Sequence, residues 1–191
     1  MGQQSDVYEI AVFCFFFAMV QQVAVALYDR GDFSRGDKRR VFGYAAYHWG
    51  IIIMPDGHEE RDYHAFSATD VSEINPVTFR MHNPTMTWWL RAEENVKPDE
   101  NVKPLGCIVI GEVPEDVTFA QLDDLFHSIS LPVKNTHPQQ SCVTWIMYAV
   151  QALQEHGWVT QFDLDEFKDR VVSYADERME GSNSQVIFYQ S

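Results

Sequence analysis

Positive charge and cysteine are what this sequence has least of. Its 191 residues carry 14 Lys+Arg against 28 Asp+Glu, a formal net charge of −14. A surface this acidic repels a phosphate backbone, which disfavours nucleic-acid binding, and it repels an anionic membrane for the same reason. Three cysteines, Cys14, Cys107 and Cys142, form an odd, sparse set without CxxC spacing. That argues against a disulfide scaffold or a structural zinc knuckle, suits a reducing, cytoplasmic compartment, and leaves at most one thiol for chemistry.

Lys and Arg are also missing ahead of the longest apolar stretch. Ile10 to Val20 reads IAVFCFFFAMV, preceded by Asp6 and Glu9 and followed by Gln21 and Gln22. A secretory signal has a basic flank, and a myristoylation signal has Ser or Thr where Asp6 stands. The residues favour a buried strand or helix here. A membrane anchor through residues 10–20 and a misassigned start stay open as the other readings.

What is present suffices for one packed domain, since hydrophobic residues make up 46% and aromatics 14% of the chain. Residues 1–22 read as an apolar N-terminal extension, 23–180 as the domain and 181–191 as a tail or edge strand. Strands are expected at Val23–Tyr28, Tyr47–Met54, His58–Phe66, Thr87–Ala92 and Leu105–Val113. Asp29–Arg40 reads as a charged loop, residues 67–85 mostly as loop, and Asn95–Pro104, with NVKP twice, as a solvated one. Thr118 and Gln121 form a capping box opening a helix to about Ser128. Ser141 caps a helix that His156-Gly157 ends, and a last helix spans Asp163 to Met179. Strands followed by helices make the class α+β, an antiparallel β-sheet packed against a cysteine-bearing helix.

Two local arguments point to chemistry. Pro55-Asp56-Gly57 suits a three-residue hairpin loop, which pairs Met54 with His58, Ile52 with Glu60, Gly50 with Asp62 and His48 with His64. Opposed residues share a face, so two imidazoles would stand side by side, with Gly50 leaving room above the sheet. Cys142 lies in the first turn of its helix, on one stripe with Trp145 or Ile146, Ala149 and Leu153. The helix dipole and unpaired N–H groups there favour a thiolate. Cys107 has no such help mid-strand, and Cys14 sits in an apolar run. A first-turn cysteine and a strand-borne histidine are the two halves of a thiol site, with His48 as base and His64 orienting it. Zinc held by His48, His58 and His64 is the weaker reading, lacking ligand spacing and a fourth ligand, so no metal or cofactor is expected.

The order Val25-Ala26-Leu27-Tyr28-Asp29-Arg30-Gly31, Tyr47-His48-Trp49-Gly50, Tyr63-His64-Ala65 and Ser141-Cys142-Val143-Thr144-Trp145 resembles a family of small uncharacterised fungal proteins. That family in turn resembles permuted papain-like folds of the NlpC type, which include lecithin retinol acyltransferase. The resemblance covers roughly residues 23–178 and departs from the family at Ser141, often Asn, and at Gly50, more often Ala. It implies a permuted papain-like fold with a triad of His48, His64 and Cys142. The expected activity is that of a cysteine hydrolase or acyltransferase acting on an amide or ester of a small molecule, peptide or lipid. Trp49, Gly50, Trp88, Trp89 and Ser141 are the expected substrate-binding residues. The acidic surface favours a cationic or neutral substrate over an anionic one. The competing class is a binding protein that keeps the fold and uses the cleft for recognition.

Overall fold

A computed structural model of the chain describes residues 20–55, 62–97 and 103–190. The strands are β1 (Val20–Asp29), β2 (Tyr47–Pro55), β3 (Tyr63–Thr69), β4 (Glu73–Ile74), β5 (Met81–His82), β6 (Trp89–Val96), β7 (Gly106–Pro114) and β8 (Val186–Phe188). The helices are α1 (Gly36–Phe42), α2 (Phe119–His127), α3 (Cys142–Glu155) and α4 (Leu164–Met179). A six-stranded sheet in the order β6-β3-β2-β1-β7-β8 is antiparallel throughout except for the parallel pair β7–β8. Helices and sheet thus form the α+β architecture expected. The tail supplies an edge strand, and β4 and β5 pair only with each other.

The two faces of the sheet separate by the strand period of two. Val23, Val25 and Leu27 of β1, with Trp49, Ile51 and Ile53 of β2, enter the main core with the buried residues of α2, α3 and α4. The alternate residues Ala24, Ala26, Ile52, Cys107 and Val109 form a second cluster on the opposite face. On α3 the buried residues include Cys142, Trp145, Ile146, Ala149 and Leu153, the stripe that helical spacing predicts. Gly111 is required where the chain after α3 crosses β7. A Cβ there would stand 2.2 Å from the Trp158 carbonyl oxygen, which accepts from the Glu112 N–H instead.

Helix ends follow their local chemistry. Thr118 and Gln121 make the reciprocal capping box of α2, and Asp163 caps α4 by accepting from the Asp165 and Glu166 N–H groups. The expected loop Asp29–Arg40 is instead a 3-10 turn at Gly31–Ser34 followed by α1. Its helix carries Asp37 in the first turn and Arg39 and Arg40 in the last, the arrangement a helix dipole favours, and ends at Gly43 with φ of 54°. A tertiary fastening supplements that weak local signal. Arg39 donates twice to Asp176 of α4, at 2.7 Å each, and Tyr47 donates to the same carboxylate at 2.7 Å.

The hairpin register differs from the one the turn chemistry implies. Observed pairs are Ile51↔Phe66, Ile52↔Ala65 and Ile53↔His64. β2 continues through Pro55, which therefore lies in a strand and not at the first position of a three-residue loop, and β3 runs from Tyr63. The observed register is the one that buries Phe66 and Ala68 of β3 beside Ile51 and Ile53 of β2. The shift is by an odd number of residues, so His64 moves to the face opposite His48. His58 lies outside the described residues, as does Ile10–Met19. β1 begins at Val20, inside the stretch read as an extension. Among the described residues no helix is long and apolar enough to cross a membrane.

Candidate active site

Two elements meet at the end of the sheet where β1 finishes and β2 starts. The first is the N-terminus of α3. Ser141 takes extended backbone angles, its Oγ accepts from the Val143 N–H, and its own N–H donates to Thr144 Oγ1 at 3.2 Å. This reciprocal cap makes Cys142 the first helical residue, 3% exposed and packed on the helix side of β2. The second is the start of β2, where His48 sits one residue before the fully buried Trp49. A cavity of about 650 Å³ opens there, and Arg30, His48, Trp88, Arg91, Ser141 and Cys142 all border it.

Cys142 and His48 are both uncharged near neutral pH. Burial pushes the Cys142 thiol above its ordinary value. The N–H groups of Trp49, Val143 and Cys142 itself, with the Arg30 charge, pull the other way and do not offset it. The expectation that the helix N-terminus leaves Cys142 with a lowered pKa is therefore corrected. Loss of water around a thiolate costs more here than oriented N–H groups return. For His48, burial and then the charges of Arg30 and Arg91 lower its pKa to about 4, with Asp70 acting weakly against them. Its ring lies 6.0 Å from that of Tyr28, the residue paired with it across β1.

A neutral buried imidazole has a consequence for stability. Unfolded, His48 titrates near 6.5, whereas in the fold it takes up a proton only near 4. Between those values the unfolded chain binds a proton that the folded chain refuses. The stabilisation is therefore complete above pH 6.5 and is lost as pH falls towards 4, about 3 kcal/mol over the whole interval. His48→Phe should show a smaller loss of unfolding free energy in urea between pH 7 and pH 4.5 than the wild type. An equal loss in both would show that His48 is not the group responsible.

The other expected site residues distribute as follows. His64 does not join Cys142 and His48. It pairs with Ile53, four residues along β2 from Trp49, or about 13 Å at the strand rise of ~3.3 Å per residue. There its Nδ1 accepts from the Asn95 N–H at 3.3 Å, and its ring lies 5.1 Å from Phe119. By alternation His64 shares the helix-side face with Ile53, far along β2 from the Cys142 end, while His48 belongs to the other face, so the three do not form the expected triad. Trp49 is 0% exposed and donates to the Tyr44 carbonyl at 3.0 Å, so it is core and not pocket lining. Gly50 borders a separate cavity of about 450 Å³ on the opposite face, with Tyr28 and Tyr63, and His48 reaches both. Trp88 and Ser141 do line the Cys142 cavity. Trp89 lies outside that lining, with its indole N–H on the Val71 carbonyl and its ring 4.4 Å from His82. Among the described residues no group of three His, Cys, Asp or Glu side chains is placed to hold a metal ion.

Arg30 and Arg91 are the residues that reading the sequence missed. Arg30 stood in the VALYDRG segment as a pattern residue without a role, and Arg91 stood in TWWLRA as part of a strand. Neither spacing nor residue type marks them. They border the site because β1 ends and β6 begins beside the same cavity.

No curated protein and no solved structure matches the chain. A family model does match, over residues 21–184, a span that includes Arg30, His48, Arg91 and Cys142. The chain therefore belongs to DUF6914, a family of unknown function.

Proposed function

We propose that this protein is a cysteine-dependent hydrolase or acyltransferase of permuted papain-like type, working with a Cys142–His48 pair. The observation that carries the reading is that a first-turn cysteine on α3 and a strand-borne histidine on β2 border one cavity. A His-bearing strand that precedes a Cys-bearing helix is the chain order of the permuted papain-like arrangement. His64 has no part in this version, and the substrate is an ester or amide of a small molecule, peptide or lipid.

The chemistry starts from a neutral thiol and a neutral imidazole. His48 accepts the Cys142 proton as the sulfur attacks the substrate carbonyl carbon, and the carbonyl electron pair moves onto oxygen. The Cys142 N–H, already directed at the sulfur, is suited to donate to that oxyanion. Collapse of the adduct breaks the bond to the alcohol or amine, which leaves with the proton held by His48. The thioester then passes its acyl group to water or another acceptor by the same steps in reverse.

Recognition without catalysis is the second reading, and the burial of the thiol favours it. The two separate in the rate of Cys142 alkylation by iodoacetamide across pH 5–9, read by mass spectrometry with Cys14 and Cys107 as internal references. Catalytic pairing requires His48→Ala to slow alkylation at Cys142 selectively. A Cys142 profile indifferent to His48 leaves a binding cleft. Cys107 is the slow reference, because burial raises its pKa to about 12.

A further inference from the structure

We infer that the cavity beside Cys142 binds an anionic oxygen group, a carboxylate or a phosphate, at Arg30. If Cys142 is the acyl-accepting nucleophile proposed above, the acyl compound it takes carries a negative charge.

The inference begins with how the cavity's charges are matched. Of its carboxylates, Asp70 is paired with Lys134 at 2.9 Å and Glu73 with Arg91. Arg30 has no carboxylate partner among the ion pairs of the described residues. What holds it instead is the Ala45 carbonyl, which accepts from one guanidinium nitrogen, and the Phe33 ring, 5.2 Å from the guanidinium carbon. A carbonyl and an aromatic face position a guanidinium without neutralising it, leaving donors of its planar fork for a ligand.

Arg30 is exposed where it borders the cavity, and its charge reaches both His48 and Cys142. Trp88, in the same cavity wall, has a buried indole N–H with no acceptor among the described residues. The unneutralised guanidinium is the group an anionic oxygen would pair with, since guanidinium–carboxylate and guanidinium–phosphate pairs are the strong form of that contact, and Trp88, in the lining, reports on the cavity wall. The net charge of −14 led to the opposite expectation for the substrate. Whole-chain charge acts over a Debye length and is screened, whereas Arg30 acts within the cavity.

The test compares two alkylating agents of similar size and opposite character at one thiol. A free thiolate such as glutathione reacts faster with neutral iodoacetamide than with anionic iodoacetate, because like charges repel. At Cys142 the iodoacetate-to-iodoacetamide rate ratio is expected to exceed that of glutathione by about tenfold, the factor that ~1.4 kcal/mol of attraction supplies. Arg30→Gln should return it to the glutathione value, and Arg30→Lys should retain part of the excess. A ratio unchanged by Arg30→Gln overturns the inference. Because the ratio is taken at a single sulfur, thiol activation cancels. A high ratio in a protein with no His48 effect would sink the catalytic reading and leave the anion site standing.

A second measurement does not depend on the thiol. In nitrogen-15 NMR, acetate and inorganic phosphate are titrated separately at constant ionic strength. The Trp88 indole N–H is followed, with the Trp49 indole on the Tyr44 carbonyl as the reference. A saturable shift at Trp88 that is absent in Arg30→Gln supports the site, and the tighter anion distinguishes carboxylate from phosphate. No saturable shift with either anion, in folded wild-type protein, overturns it.

Discussion

Hydrolysis of p-nitrophenyl acetate by the full chain is expected to be abolished by Cys142→Ser and to fall about 10²–10⁴-fold in His48→Ala, the range a positioned general base supplies. His64→Ala should retain the wild-type rate. The split follows from where the three groups sit. Cys142 and His48 border one cavity, whereas His64 is paired with Ile53 and accepts from the Asn95 N–H at the other end of β2. The pH profile carries the same information. His48 loses its proton near 4, so its capacity as a base persists down to about that pH instead of failing near 6.5. At the alkaline end the rate should keep rising past pH 8, because burial holds the Cys142 thiol above its ordinary value. Equal damage from His48→Ala and His64→Ala would contradict this arrangement and restore a role for both histidines.

Trp145 is where the largest stability effect is expected. It is 0% exposed on α3, packed 5.8 Å from Phe126 between ring centres, and its indole N–H has no hydrogen-bond partner among the described residues. Trp145→Ala should cost about 3–5 kcal/mol, through lost burial and the cavity left behind. Trp145→Phe should cost far less than its lost volume suggests. It also removes an unpaired buried donor, whose presence costs about 1–3 kcal/mol and offsets part of the loss. Urea unfolding of the two variants gives both numbers. A Phe variant as unstable as the Ala variant would mean that the indole N–H has a partner in solution.

How much of this was readable without the fold depends on the range of the forces involved. The capping box at Thr118 and Gln121, the Ser141 and Asp163 caps and the buried stripe from Cys142 to Leu153 were all legible, and each is settled within a few residues. The same holds for Cys142 lying in a first helical turn and for most strand cores. Pro55-Asp56-Gly57 misled because a good turn sequence competes with burial, and the register that buries Phe66 and Ala68 places Pro55 inside β2. α1 was missed because its two arginines read as loop charge. The local dipole signal is weak, and Asp176, far along the chain, supplies the tertiary fastening for Arg39.

The sequence by itself determined the class of fold, most of its strands and helices, and the places of Cys142 in a first helical turn and His48 on a strand. These rest on periodicity and on hydrogen bonds between near neighbours. Tertiary structure alone decided that His64 stands apart from His48, that Trp49 is core and Gly50 faces another cavity, and that Arg30 borders the Cys142 cavity. A strand shows its two faces by alternation, but which residue opposes which depends on partners distant in the chain, and an odd shift exchanges the faces. Burial decides the charge state of Cys142 in the same way, because the protein that excludes water from its sulfur comes from elements far apart in sequence.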